Sequence, residues 1–173
     1  MESLAGKSIK FAEFWTIDYT MKLVIQRVRE ARVVVDGATT GAIAAGLLVF
    51  IGIARSDTAS EAEYLVDKIL GLRIFPDDVG KMNRNIQEAR GALLLVSQFT
   101  LYGDCRKGRR PSFDQAAPPE QAAGLYSYFL ELAKRGPVPV AAGVFQADMQ
   151  VHLINDGPVT ILIDTSDRPN RSV

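Results

Sequence analysis

The sequence predicts an α+β fold dominated by antiparallel strands, with two helices covering the sheet, and three observations predict it. Short apolar runs bounded by turn residues recur along the chain, and two stretches show helical spacing with start and stop signals. The 173 residues, 47% hydrophobic, are enough for one substantial core, and no shift in composition divides them into two domains.

Residues 22–28 are strand-like, and Arg32-Val33-Val34-Val35 runs into Asp36-Gly37, a dipeptide that tolerates the positive φ of a tight hairpin. Two or three antiparallel strands are expected to open the domain. Residues 47–53 follow as a central strand. Thr58 and Glu61 then form a capping box ahead of Ala62, Leu65, Val66, Ile69 and Leu72 at helical spacing, which predicts a first amphipathic helix. The unbroken Leu93-Leu94-Leu95-Val96 reads as a strand buried on both faces, delivering Ser97 and Gln98 at its C-terminal end. Pro118 and Pro119 start a second helix that carries Ala122, Leu125, Tyr126, Phe129, Leu132 and Ala133 and stops at Gly136-Pro137. Residues 149–153 alternate, Asn155-Asp156-Gly157-Pro158 reads as a turn, and 159–163 form the last strand.

The two ends differ from the rest. Residues 1–20 scatter Phe11, Phe14, Trp15 and Tyr19 without a period and read as an appendage, or as the product of a start upstream of Met21. The segment has no Arg and carries Glu2, Glu13 and Asp18, unlike a transit peptide, and lacks the apolar block of a secretory signal. Residues 165–173 form a polar tail, which leaves one domain over 21–164. No apolar run approaches the roughly 18 to 20 residues of a membrane span.

Twenty basic and twenty acidic side chains balance, so attraction to a polyanion must be local. The single Cys105 cannot pair internally, and no Cys/His spacing resembles a metal site; neither a metal nor a cofactor is expected, and a cytoplasmic location fits. No Gly-rich nucleotide loop or calcium loop occurs.

Composition permits a nucleophile among Ser97, Thr100 and Cys105, with His152 as base and Asp104, Asp148 or Asp156 to orient it. His152, the one histidine, lies in an alternating strand and reads as an exposed sheet residue, which weakens every triad. Cys105 beside Arg106 and Lys107 reads as a surface thiol. Arg106-Lys107-Gly108-Arg109-Arg110 places four cations in five residues. That is either a solvated loop or a footprint for phosphates. Gly157-Pro158 is either a plain turn or a place where backbone meets a ligand, since glycine permits close approach.

Ser-Gln-Phe-Thr-Leu at 97–101, Arg-Lys-Gly-Arg-Arg-Pro-Ser-Phe at 106–113 and Asn-Asp-Gly-Pro-Val-Thr at 155–160 together resemble the D-aminoacyl-tRNA deacylase family. Met-Lys-Leu-Val-Ile-Gln-Arg-Val from Met21, Gly-Leu-Arg-Ile-Phe from Gly71, Gly-Lys-Met-Asn from Gly80 and Ala-Asp-Met-Gln-Val from Ala147 extend the likeness in the same order over 21–164.

The resemblance implies a barrel-like sheet and a cytoplasmic homodimer that hydrolyses the ester joining a D-amino acid, or glycine, to the terminal adenosine of tRNA. Its partners are then aminoacyl-tRNA and a second copy, with neither DNA nor a membrane expected. It makes Ser97, Gln98, Phe99 and Thr100 a backbone oxyanion site, with the Thr100 side chain as the alternative nucleophile and the tRNA 2′-hydroxyl assisting. It makes Gly157 and Pro158 a Gly-cisPro chiral filter entering the partner's site, with Met149 against the substrate. Arg27, otherwise an exposed strand-edge residue, becomes the support of that filter, and Arg106, Lys107, Arg109 and Arg110 the contacts to tRNA phosphates. Two alternatives remain: a Gly-transPro relative that removes L-alanine from tRNA, and a tRNA-binding module without catalysis.

Overall fold

The computed structural model describes residues 20–168. Its elements follow the order β1 (Lys22–Val35), β2 (Ala38–Ile43), β3 (Gly46–Gly52), α1 (Ala59–Gly71), β4 (Phe75–Pro76), β5 (Met82–Arg84), β6 (Ala92–Ser97), α2 (Pro119–Lys134), β7 (Val140–Ala142) and β8 (Gln150–Asp164). The fold is α+β with two helices, as expected. Apart from Thr20, the appendage expected over 1–20 lies outside the described residues, as does the tail beyond 168.

The opening strand is longer than its pattern announces. Residues 22–28 and 32–35 belong to one 14-residue strand, because two register shifts against β8, between Gln26 and Val28 and between Val28 and Glu30, absorb the break in alternation. Asp36 and Gly37 turn with φ of 49° and 79°, the mirror-image turn that suits a tight hairpin, and β2 returns antiparallel. β3 and β8 also run antiparallel to β1. The expectation of antiparallel pairing needs one refinement, since β3, β6 and β7 are parallel neighbours in the order β2-β1-β3-β6-β7.

Parallel pairing explains the continuous apolar runs, because the centre of the sheet is covered on both faces. Leu47, Val49, Ile51, Leu93 and Leu95 face the helices and join Leu65, Ile69 and Phe129 in the larger core. Leu48, Leu94 and Val96 point the other way, into a second core with Val28 and Val33. That second core is the inside of a nearly closed barrel, whose seam lies where β2 comes against β7. A Cβ on Gly41 would sit 2.5 Å from the Ala142 carbonyl oxygen, so only glycine lets the seam close this tightly.

Both helices start as their sequences indicate. Thr58 and Glu61 complete the capping box of α1, with the Thr58 N–H donating to Glu61 Oε2 at 2.8 Å. Proline opens α2. Tyr126 fastens α2 to the sheet: its buried hydroxyl donates to the Leu95 carbonyl at 2.9 Å. Burial pushes its pKa up to about 12, the backbone N–H of Ser97 partly offsetting. The phenol is therefore neutral and fixed just beneath the end of β6.

The largest departure is at residues 155–158. The chain does not reverse there, and β8 continues antiparallel to β1 on both sides, with Val28 facing Asn155 and Gln26 facing Thr160. Arg27 alone thus stands opposite the four residues 156–159, which leave the ladder as a loop with Gly157 and Pro158 exposed at its tip and Val159 buried in the core at its base.

Candidate active site

β6 ends at Ser97, and the chain turns at once into a 3-10 turn, Phe99–Tyr102. Both ends of that turn are fastened to the end of β3. The Gln98 N–H donates to the Ile51 carbonyl at 2.8 Å. The buried Tyr102 hydroxyl lies 3.0 Å from the Gly52 carbonyl and 2.8 Å from that of Thr20. Burial, then the Asp57 and Asp164 carboxylates, raise the Tyr102 pKa far above its usual range, so this anchor stays neutral. The first bond of the turn joins the Leu101 N–H to the Gln98 carbonyl at 3.4 Å, so the N–H groups of Phe99 and Thr100 precede it, as at the start of any helical turn.

A cleft of about 670 Å³ opens beside this turn. Val96 and Val151 lie along its floor, Ser97, Gln98 and Phe99 form one wall, and the run from Ala116 to Pro119 with Ala122 forms another. Phe145, Gln146, Ala147, Asp148 and Met149 close it. Phe99 is 59% exposed and stacks edge-on against Phe113 at 5.1 Å, which presents an aromatic lip. Phe145 packs at 5.8 Å on Tyr126.

Four of the residues expected at the site, Ser97, Gln98, Phe99 and Met149, therefore meet in one cleft. Thr100 lies one step further along the turn, its hydroxyl accepting from the Gln98 side-chain amide. His152 does not line this cleft. It stands exposed on β8 opposite Arg32, 3.4 Å from its guanidinium, so it offers no base to Ser97 or Thr100. Cys105 is exposed. Among the described residues, no group of three His, Cys, Asp or Glu side chains could hold a metal ion, and no helix is long and apolar enough to cross a membrane.

Gly157 and Pro158 are exposed and absent from the lining of the cleft. Five residues of β8 lie between Val151 at the cleft and Gly157, six steps of extended chain or roughly 20 Å. The Gly157–Pro158 peptide is cis, and Gly157 has a φ of 130°, a conformation that L-residues rarely adopt. Asn155 closes the stem of the loop: its Oδ1 accepts from the Val159 N–H at 2.8 Å, and its amide nitrogen lies 3.3 Å from the Val159 carbonyl. Arg27 follows Leu23 and Ile25 on the buried face of β1, which is why it is only 9% exposed. Its Nη1 donates to the Ile74 carbonyl at 2.6 Å and its Nε to the Asp156 carbonyl at 3.1 Å. The strand-edge reading of Arg27 is thus replaced by an inward donor beneath the loop.

The basic loop stands on a bridge between Asp104 and Ser112. Arg106 folds back onto Asp104, Nη2 to Oδ2 at 2.6 Å. Hydrogen bonds from the Arg106 side chain and backbone hold the Asp104 carboxyl well below the usual carboxylate range. Lys107, Arg109 and Arg110 point into solvent.

Sequence reasoning missed Phe113, Phe145, Gln146 and Arg55, all on the cleft. Arg55 lies on the chain beyond β3, with its Nε on the Asp114 carbonyl at 2.7 Å. Gln146 has a φ of 63°, and no glycine marks that bend. The alternating residues after β3 and the Phe-Gln-Ala-Asp-Met run were the available signals.

Comparison with known proteins gives the same answer along most of the chain. The family model described as D-Tyr-tRNA(Tyr) deacylase matches residues 24–164. The D-aminoacyl-tRNA deacylase of Solibacter usitatus is 62% identical over 148 residues, 86% of this chain and 98% of that one. That of Geobacter sulfurreducens is 57% identical, over 86% and 97%. Among solved structures, one titled c-Myc DNA Unwinding Element Binding Protein superposes with a TM-score of 0.78 at 44% identity, covering 83% of this chain and 97% of that one. A second, titled as a probable eukaryotic D-amino acid tRNA deacylase, shares the fold with a TM-score of 0.73 at 19% identity, over 84% and 99%. On these matches, and on the order of motifs around the cleft and the β8 loop, the chain belongs to the D-aminoacyl-tRNA deacylase family.

Proposed function

We propose that this protein hydrolyses the ester between a D-amino acid, or glycine, and the terminal adenosine of tRNA, and that it does so as a homodimer in the cytoplasm. The observation that carries this reading is the separation of two backbone devices within one chain. The turn after Ser97 is fixed beside a cleft, whereas the Gly157–Pro158 loop stands exposed and away from it. A loop that selects substrate must therefore act in the cleft of a second copy, through a symmetric contact in which each chain serves the other.

Ester hydrolysis adds water to the carbonyl, places negative charge on its oxygen, and then expels the ribose oxygen with a proton. In this reading the N–H groups of Phe99 and Thr100, on a turn held by the Gln98 and Tyr102 anchors, receive that charge. Donors fixed in advance spend no reorganisation energy as the charge develops. An aminoacyl ester is already activated, so positioning and two donors suffice with the tRNA 2′-hydroxyl assisting, and no side-chain base is required. Ser97, Gln98 and Met149 shape the cleft around the aminoacyl end. Lys107, Arg109 and Arg110, with Arg106 set by Asp104, supply the local positive charge that tRNA phosphates need on a chain of zero net charge.

Selectivity comes from exclusion. A rigid backbone wall made by Gly157 and Pro158 accepts hydrogen on one side of the α-carbon and rejects a side chain there, so an L-residue fails by clash while glycine passes. The cis Gly157–Pro158 peptide is the form this reading uses.

The test is to incubate the protein with matched D- and L-aminoacyl-tRNA and to follow ester loss. The expected result is rapid loss from the D-ester with the L-ester spared. Equal rates, preference for L-alanyl-tRNA, or salt-sensitive binding without hydrolysis would each overturn the proposal.

A further inference from the structure

We infer that Asp156 is a positioning residue for stereoselection, its carboxylate acting through Arg27 and Arg29 to hold the loop over 155–159. The inference rests on the chiral-filter reading above and adds to it a residue that the filter itself does not contain.

The loop has a mechanical problem. Four residues of β8 face the single residue Arg27, so no run of ladder hydrogen bonds ties them to β1, and side chains must do so. Asn155 closes the stem through Val159, and its amide nitrogen also reaches Thr160 Oγ1 at 3.2 Å. None of these bonds sets the tilt of the tip relative to the sheet.

The tilt is set from below. The guanidinium of Arg27 is a planar fork whose orientation fixes all of its donors together. Nη1 goes to the Ile74 carbonyl and Nε to the Asp156 carbonyl. A Cβ on Gly157 would lie 3.1 Å from Nη2 and 2.8 Å from Val159 Cγ2, so the fork is the seat on which Gly157 rests.

A cation this buried needs a counter-charge, and among the described residues the carboxylate paired with it is Asp156, Oδ2 to Nε at 3.2 Å. The other oxygen, Oδ1, takes Arg29 Nε at 3.2 Å. One carboxylate with two acceptor oxygens thus spans two arginines that are two residues apart on β1, and it belongs to the residue immediately before Gly157. Tip, fork and sheet are joined through it. An asparagine of the same shape has one acceptor and one donor, and serves only one arginine.

The experiment measures kcat/KM for D- and L-aminoacyl-tRNA on wild-type protein, Asp156→Asn and Asp156→Glu. The ratio of the two rates is the quantity read, because any loss of folded protein scales both rates equally and leaves their ratio unchanged. In Asp156→Asn the D-over-L ratio should fall about tenfold, the size expected for one charge-assisted hydrogen bond, chiefly through faster loss of the L-ester. Asp156→Glu keeps the charge but moves it outward by one methylene, and should lower the ratio less; it is the variant to read if Asp156→Asn does not fold. A wild type that fails to discriminate would remove the filter reading itself. A wild type that discriminates, beside folded variants with the same ratio, would remove the role of Asp156 alone.

Discussion

The turn beside the cleft and the loop on β8 are both backbone devices, yet they are stiffened by opposite means. Neutral groups fix the turn: a strand carbonyl, a buried phenol and an aromatic lip. Charge fixes the loop: a buried guanidinium, a carboxylate across two arginines, and one asparagine at the stem. In the proposed mechanism the difference teaches that holding a developing charge and excluding a side chain make different demands. A donor pair must keep its place whatever the pH, and neutral anchors secure that. A wall must keep its tilt in an exposed loop with no ladder beneath it, and only a strong directional contact from a buried residue supplies that.

The comparison breaks most visibly at Arg27. In Arg27→Met the Ile74 and Asp156 carbonyls lose their donor and Asp156 its buried partner, so unfolding free energy should fall by about 3 kcal/mol. Denaturant titration reads that loss, and the surviving folded protein should discriminate poorly between D- and L-esters. Unchanged stability would show that the loop stands without its fork.

A smaller effect is expected on the other side. Thr100→Ala removes a hydroxyl that bonds to Gln98 but leaves the backbone N–H in place, so kcat should stay within about tenfold of wild type. A loss of roughly six orders of magnitude would make the Thr100 hydroxyl the nucleophile instead.

The smallest effect belongs to a residue that borders the Tyr102 anchor of the turn and lies away from the β8 loop. Asp164 lies at the far end of β8, where burial raises its pKa but hydrogen bonds from Thr20 and Ser166, helped by Lys22, outweigh this and lower it below the usual 3.8. A carboxyl depressed by folding adds stability above its unfolded pKa and loses it as pH falls through the folded one. Asp164→Asn should therefore flatten the decline in stability below about pH 4 without altering the D-over-L ratio. Thermal melts across acid pH read the first, and a changed ratio would mean that the loop is not mechanically separate.

Much of this is legible in the amino-acid sequence. The capping box at Thr58, the prolines before α2, and the two-faced apolar run at 93–96 each obey a local rule, and each element appeared where that rule put it. The parallel pairing of β3, β6 and β7 was less legible, because pairing direction depends on where intervening helices cross. The run 155–158 reads as a turn, but Asn-Asp-Gly-Pro has turn chemistry whether the chain reverses or merely bulges, and here it bulges. Only Arg27, fixed opposite it by the register of β1, decides between them. The cleft walls at 116–119 and 145–149 come from separate loops whose meeting no local pattern encodes.

The central claim, that one chain's loop acts in another's cleft, is tested most directly by subunit complementation. Ala117→Trp fills the cleft, and Pro158→Trp enlarges the tip of an exposed loop that lies away from its own cleft. Each variant alone should fold and lack deacylase activity. Co-refolded in equal amounts, they should recover about a quarter of wild-type activity, because mixed dimers hold one site built from an intact cleft and an intact loop. Full activity in Pro158→Trp alone, or mixed dimers that form and stay inactive, would contradict the account.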